Sequence, residues 1–448
     1  MNEPDDERSV RRNALWRIHG LAAILGTPFL LLAAVTGLMY ACAPQIDYAR
    51  DSAFDRVAPA AWQRLDQLVA AATAAAPAGT RLRHVVPPVV PGDTLHATFT
   101  PQSAPAPTSG AAHAGHGAGN AQPAADSRFG PRIPRGTIVH VDPGTGRVLG
   151  TQAELDRYST WAKRLHSSLL QGDGWRWMIE WAATCLLVLL ATGTALWWPR
   201  RGQAFAPTRG VRGRTAWKQW HAFAGFTLAL MSLAIVLTGL TWSRYAGDQI
   251  RALRDAIGQA PPRAPQTLRS TPASGTSPLS WQAVWDEIRR DTPAVAVQIV
   301  PPRSADGVWR AFTPDDVSPT AKFDMAIDAY RGTRLFYADW KDQTVFSKAT
   351  AIGIPFHRGE FGLWNQALLV LFGLSVLFST VTGWIMWFRR RRGGWLGLVA
   401  LSGRAWRAVP WRWPMLVATL LVCALVPLLL AFLVLLLAVE WRNARAAA

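Results

Sequence analysis

The chain has 448 residues, half of them hydrophobic, with 23 Trp and a formal net charge of +18. Several apolar runs are too long for a soluble core, which places the chain in the membrane class. Its arginines cluster beside those runs, so the charge marks cytoplasmic loops and argues against nucleic-acid binding.

Residues 1–18 read as a cytoplasmic N-terminus, with Arg8, Arg11, Arg12 and Arg17 ahead of a first span at 19–41. Ala41-Cys42-Ala43 has the small residues of a leader cleavage site, but the apolar run exceeds the usual length of about 7–15. The first span is therefore read as retained. Residues 42–165 then form an outer α+β module. It starts with an amphipathic helix at 60–76 and has strand-like runs at 82–86 and 94–99. A strong hairpin turn at Asp142-Pro143-Gly144-Thr145-Gly146 closes it. Within this module, residues 101–127 are rich in Ala, Gly, Pro and Ser and read as a flexible insertion. His113 and His116 in that insertion are a weak candidate for a metal ion.

An amphipathic entry and second span occupy 166–198, and a cytoplasmic Arg-rich loop follows at 199–217. The third span, 218–242, leads into a second outer α+β module at 243–360. That module holds a helix near 281–290 and strand-like runs at 295–300, 309–313, 323–328 and 335–340. A fourth span at 361–388, a basic cytoplasmic loop at 389–413, a fifth span at 414–440 and a tail at 441–448 complete the chain. The expected fold is a membrane α-helical bundle of about five transmembrane helices, internally duplicated, with two extracytoplasmic α+β modules. An odd number of spans would leave the C-terminus outside. The three cysteines stand alone, so neither a disulfide framework nor a thiolate metal site is indicated.

Four of the nine histidines stand at span entrances. His19 and His221 fall at the cytoplasmic edge, and His166 and His357 at the outer edge. Ionisable groups at the edge of spans are costly and tend to be functional. In the first span, WRIHGLAAILGTPFLLLAAVTGLMY, Gly37 follows His19 by 18 residues; in the third, WKQWHAFAGFTLALMSLAIVLTGLTW, Gly239 follows His221 by the same 18. That offset is about five helical turns, or about 27 Å of rise on one face. Gly26 and Gly225 lie near the same face and, with Gly37 and Gly239, leave clearance for something flat. Two imidazoles per leaflet fit bis-histidine ligation of haem b, giving two haems across the bilayer. No CxxCH occurs, which excludes covalent c-type haem.

The segments LHSSLLQGDGWRWMIEW…LLATGTALWWPRR and FHRGEFGLWNQ…STVTGWIMWFRRRR resemble the second- and fourth-helix signatures of the PepSY-associated transmembrane proteins. The third span resembles that family's third helix, and the outer segments look like PepSY domains. The resemblance implies haem b, a bacterial inner membrane with the large loops periplasmic, and reduction of ferric chelates such as siderophores by an unknown donor. A non-enzymatic PepSY membrane protein that regulates peptidases or senses metal is the alternative. Paired repeats also occur in transporters, but the apolar midplanes here disfavour one.

Overall fold

The computed structural model describes residues 5–102, 136–198, 206–272, 275–314, 316–390 and 413–446. His113 and His116, nearly all of the expected insertion and most of the second basic loop lie outside the described residues. In chain order, helices α1 (Asp5–Ala41), α2 (Ala43–Asp55) and α3 (Leu65–Ala74) come first. Strands β1 (Thr80–Val86), β2 (Leu95–Pro101), β3 (Thr137–Val141) and β4 (Val148–Ala153) follow. Helices α4 (Tyr158–Ser168), α5 (Trp177–Trp197), α6 (Gly213–Thr227), α7 (Ala229–Leu240), α8 (Tyr245–Ala256) and α9 (Trp281–Arg289) come next. After them are β5 (Gln298–Val300), β6 (Val308–Phe312), β7 (Asp324–Asp328) and β8 (Arg334–Ala338). The chain ends with α10 (Val345–Arg358), α11 (Leu363–Arg390), α12 (Trp413–Leu425) and α13 (Pro427–Ala446).

The chain divides into two compact units. The helical unit comprises residues 1–41, 165–253 and 356–448. Among its described residues, three helices are long and apolar enough to cross a membrane: Arg12–Ala41, Asp173–Trp197 and Leu363–Arg389. The pair α6 and α7, apolar enough together but bent by 56° at their junction, brings the number to four when counted as one span. Their outward faces carry exposed Leu230, Leu237, Leu374 and Val381. Such faces suit lipid, because helices satisfy their own backbone hydrogen bonds. Inside the bundle, Trp181 on α5 donates its indole N–H to Leu25 O at 3.2 Å, and Trp384 on α11 donates to Thr27 Oγ1 at 2.9 Å.

The segment expected as a fifth span differs. It is two helices, α12 and α13, with Pro427 opening the second, a position that proline favours because its missing N–H is not needed there. Val426 packs with Leu240 and Ala246, Phe432 with Ala22 and Cys185, and Leu436 with Leu21. Glu440 then forms an ion pair with the buried Arg17. Helix α13 therefore runs back along α1 and ends beside the start of that helix, so the expectation of a C-terminus at the opposite face does not hold.

The second unit comprises residues 42–164 and 254–355 and is built on one eight-stranded sheet, in the order β4-β3-β2-β1-β5-β6-β7-β8. Each half is an antiparallel meander, and β1 joins β5 antiparallel with Val85 opposite Ile299. The two outer segments thus share a sheet and a core. That junction pairs two strand edges that would otherwise stand open. Alternate residues Leu95, Ala97 and Phe99, Val139 and Val141, Trp309 and Ala311, and Met325 and Ile327 point to one face, as the period of a strand requires. Leu65, Leu68, Val69 and Ala72 of α3 and Val284 and Ile288 of α9 cover that face.

Candidate functional site

The helical unit brings the four span-end histidines together in pairs. His19 on α1 faces His221 on α6, with ring centroids 6.2 Å apart and planes at 86°. His166 on α4 and His357 on α10 are electrostatic neighbours.

Each ring is held by a threonine on another helix. His19 Nδ1 lies 3.0 Å from Thr192 Oγ1 on α5, and His221 Nδ1 lies 2.9 Å from Thr382 Oγ1 on α11. His166 Nδ1 lies 2.9 Å from Thr36 Oγ1 on α1. His357 Nδ1 lies 2.8 Å from Ile235 O and 3.4 Å from Thr238 Oγ1 on α7.

The direction of these bonds follows from what the threonines already do. Thr36 donates its hydroxyl to Leu32 O, Thr192 to Val188 O, Thr238 to Ala234 O and Thr382 to Phe378 O. This back-bonding to the preceding turn uses the only hydroxyl proton. Each Oγ1 can then only accept, so each imidazole carries its proton on Nδ1 and donates. A carbonyl enforces the same on His357. All four rings are left with the lone pair on Nε2, the state of a metal-ligating histidine whose other nitrogen is anchored.

A glycine follows every one of these threonines. A Cβ at Gly193 would lie 3.1 Å from His19 Cε1, at Gly37 3.3 Å from His166 Cε1, and at Gly239 2.8 Å from His357 Cε1. At Gly383 it would lie 3.7 Å from His221 Cε1. The Thr-Gly pair therefore works as a unit: the hydroxyl fixes Nδ1 and the bare Cα lets the ring lie against the backbone. At Gly37 and Gly239, expected to leave clearance, the open side of the backbone meets the imidazoles of His166 and His357. Gly26 meets the side chain of Cys185, where it permits close packing of α1 on α5. Gly225 has open space around it. Thr192, Gly193, Thr382 and Gly383 were not singled out from the sequence, although the repeated dipeptide in four apolar helices was there to be read.

At a centroid separation of 6.2 Å, the His19 and His221 rings are close enough to ligate one metal centre together.

Other charged and aromatic side chains near the site and in the outer sheet serve the fold. Arg358, next to His357, pairs with Glu360 at 2.7 Å and donates to Tyr40 Oη at 3.0 Å. The buried Glu180 carboxylate accepts the backbone N–H groups of Tyr245 and Ala246, each at 2.8 Å, at the first turn of α8. In the second unit Trp309 lies in the sheet core, and Arg334 pairs with Glu287 and Asp291, each at 2.8 Å.

The family model described as the PepSY-associated TM region matches residues 16–390, a stretch that contains all four histidines and all four Thr-Gly pairs. No curated protein matches the chain.

Proposed function

We propose a function from one premise: the chain belongs to the PepSY-associated TM family. It is a membrane protein that moves electrons across a bacterial inner membrane and reduces ferric chelates, siderophores in particular, on the periplasmic side. His19 and His221 hold one haem b, and His166 and His357 hold a second. The outer sheet is a pair of fused PepSY modules in the periplasm, and the N-terminus is cytoplasmic. When bound, haem b supplies a one-electron iron couple.

The facing of His19 and His221 at 6.2 Å carries this reading. The residues contribute position and tautomer rather than acid–base chemistry. Thr192, Thr382, Thr36 and Thr238 keep every Nε2 in its lone-pair state, and the neighbouring glycines fix where each ring lies. Donation from Nδ1 to an anchored acceptor raises the basicity of Nε2 and so would strengthen its hold on a metal. The pairs sit at opposite ends of α1, which bears His19 at one end and Thr36-Gly37 at the other. Electrons enter at the His19/His221 end from a cytoplasmic or quinol donor and leave at the His166/His357 end. A ferric chelate accepts one electron there, and the resulting Fe(II) is released because hard oxygen donors bind it less tightly.

The test is an optical spectrum of the full chain purified in detergent. Two dithionite-reducible b-type haems per chain are expected. His19→Ala or His221→Ala should remove one, His166→Ala or His357→Ala the other, and each should abolish ferric-chelate reduction followed with a ferrous-specific chromophore. A chain that stays colourless when made with ample haem overturns the proposal and turns attention to a non-enzymatic PepSY role.

A further inference from the structure

The outer sheet gathers three ligand-type side chains that the span-end histidines do not involve: Asp55 at the end of α2, His96 on β2 and His140 on β3. His96 and His140 are register partners across β2 and β3, and their rings meet edge to face with centroids 4.7 Å apart. Asp55 Oδ1 lies 3.2 Å from His96 Nε2 and 3.6 Å from His140 Nδ1. Bonds of about 2.0–2.1 Å in a tetrahedron place neighbouring donor atoms about 3.3–3.4 Å apart. Two of the three donor separations thus stand near the spacing of ligands around one ion, and all three ligand atoms lie within 4.8 Å of one another.

His140 supplies a second, independent observation. It is fully buried, and neither ring nitrogen makes a hydrogen bond of good geometry, the Phe54 carbonyl being only a poorly placed neighbour. A buried polar group left in that state calls for an explanation, and a bound ion is one.

The surroundings are mixed in charge. Arg157 donates to Asp55 Oδ2 at 2.6 Å and to Oδ1 at 3.1 Å. Thr94 gives its hydroxyl proton to Phe54 O at 2.8 Å, so its Oγ1 accepts from His96 Nε2 at 3.1 Å, and a metal ion binding at Nε2 displaces that proton. The guanidinium holds the carboxylate ionised with Oδ1 turned to the two imidazoles, an outer-shell role of the kind that orients metal ligands. Its charge also tempers cation affinity. Side-chain exposures of 28% for His96 and 24% for Asp55 give an ion a way in.

We propose that Asp55, His96 and His140 form a binding site for a divalent first-row transition-metal ion. Two imidazoles and one carboxylate with open positions suit Zn(II) or Fe(II) rather than Mg(II) or Ca(II), which demand oxygen-rich shells. The site does not depend on the haem reading.

The test uses the full-length chain in detergent with His113→Ala and His116→Ala in the background, so that the insertion contributes nothing. After treatment with a chelator, the protein is loaded with Zn(II), and metal content and calorimetric binding are measured. About one Zn(II) per chain should be lost in His96→Ala and in His140→Gln, while Mg(II) should not compete. Zinc X-ray absorption on the background protein should show imidazole scattering from two rings, a readout that needs no further variant. Equal zinc in His96→Ala and the background protein, or a zinc shell without imidazole, overturns the proposal. Haem absorbance in the same samples reports separately on the span-end pairs, so failure of one reading is distinguishable from failure of the other.

Discussion

Thr36 accepts a hydrogen bond at 2.9 Å from Nδ1 of His166, although it stands on the helix whose own histidine belongs to the other pair. Helix α1 thus works at both ends, presenting His19 at one and seating His166 at the other. The bent pair α6–α7 repeats the plan with His221 and Thr238. The 18-residue offset between histidine and glycine recurs in both, along α1 and across the bend between α6 and α7.

Thr36→Val keeps the volume and removes the acceptor. Nδ1 of His166 then loses its anchor, and the ring is free to turn or to change tautomer. We expect a loss of about 10–100-fold in haem affinity at the His166/His357 pair, the range found for outer-shell partners of metal ligands. The His19/His221 pair should be unchanged. Haem retention during dilution, read in the Soret region against His166→Ala, checks this; equal retention in Thr36→Val and wild type would count against it.

The glycines separate two kinds of failure. At Gly239 an added side chain meets His357 at once, so Gly239→Val should displace that ring and cost one haem per chain. At Gly26 the obstacle is Cys185. Gly26→Val should lower stability by about 1–3 kcal/mol through overpacking, with the haem count kept. Gly225→Ala, with open space around it, should do neither. Haem-to-protein ratio and thermal midpoint, measured on all three, decide the matter.

The legible parts of this chain are those with local patterns. Apolar runs announce the spans, and alternation announces strands such as β2 and β7. The histidines at the span ends could be picked out because an ionisable group is conspicuous there. Their threonine anchors could not be assigned in the same way. A threonine in an apolar helix satisfies its hydroxyl on the preceding turn, and nothing local says that its oxygen also faces a ring on another helix. The β1–β5 junction is likewise a non-local pairing, chosen by two open edges finding each other rather than by any motif. The break at Val426–Pro427 is a different case. Its proline was visible, but the apolar run around it is long enough to be read as one span, and only packing against α1 shows that α13 turns back. Asp55, His96 and His140 come from three separate elements and meet only through strand register.

The ion pair between Arg17 and Glu440 fixes that return. Side-chain exposures of 3% and 11% make it a buried pair. Removing one partner of such a pair leaves an uncompensated charge and costs about 3–5 kcal/mol, whereas replacing both with apolar residues is near neutral. Glu440→Leu should therefore destabilise the chain strongly, and the double variant Arg17→Met/Glu440→Leu should recover most of the loss. Topology reporters fused at the two termini should give the same side of the membrane. Opposite sides would rule out the packing of α13 along α1.

Two aspartates tie the sheet's hairpin ends to pH. Asp142 accepts from the Thr145 hydroxyl at 2.7 Å and from Gly144 N–H at 2.9 Å at the β3–β4 turn. Asp328 accepts from the N–H groups of Tyr330, Arg331 and Thr271 at 2.8, 2.9 and 3.1 Å beside the β7–β8 turn. Partial burial pushes both carboxyls up, but these hydrogen bonds and the nearby Arg147 and Arg331 outweigh it and hold both below their usual value. A carboxyl whose folded pKa is depressed adds stability that is complete above the unfolded value of about 3.9 and is lost as pH falls through the folded one. Melting of the outer sheet should thus be nearly flat from neutral pH to about 5 and fall steeply below 4. Asp142→Asn and Asp328→Asn should each cost about 1–2 kcal/mol at neutral pH, because a bond to a charged acceptor becomes a neutral one. Their acid limb should also be shallower than that of wild type. Parallel acid limbs in wild type and the double Asn variant would show that other carboxylates govern the acid response.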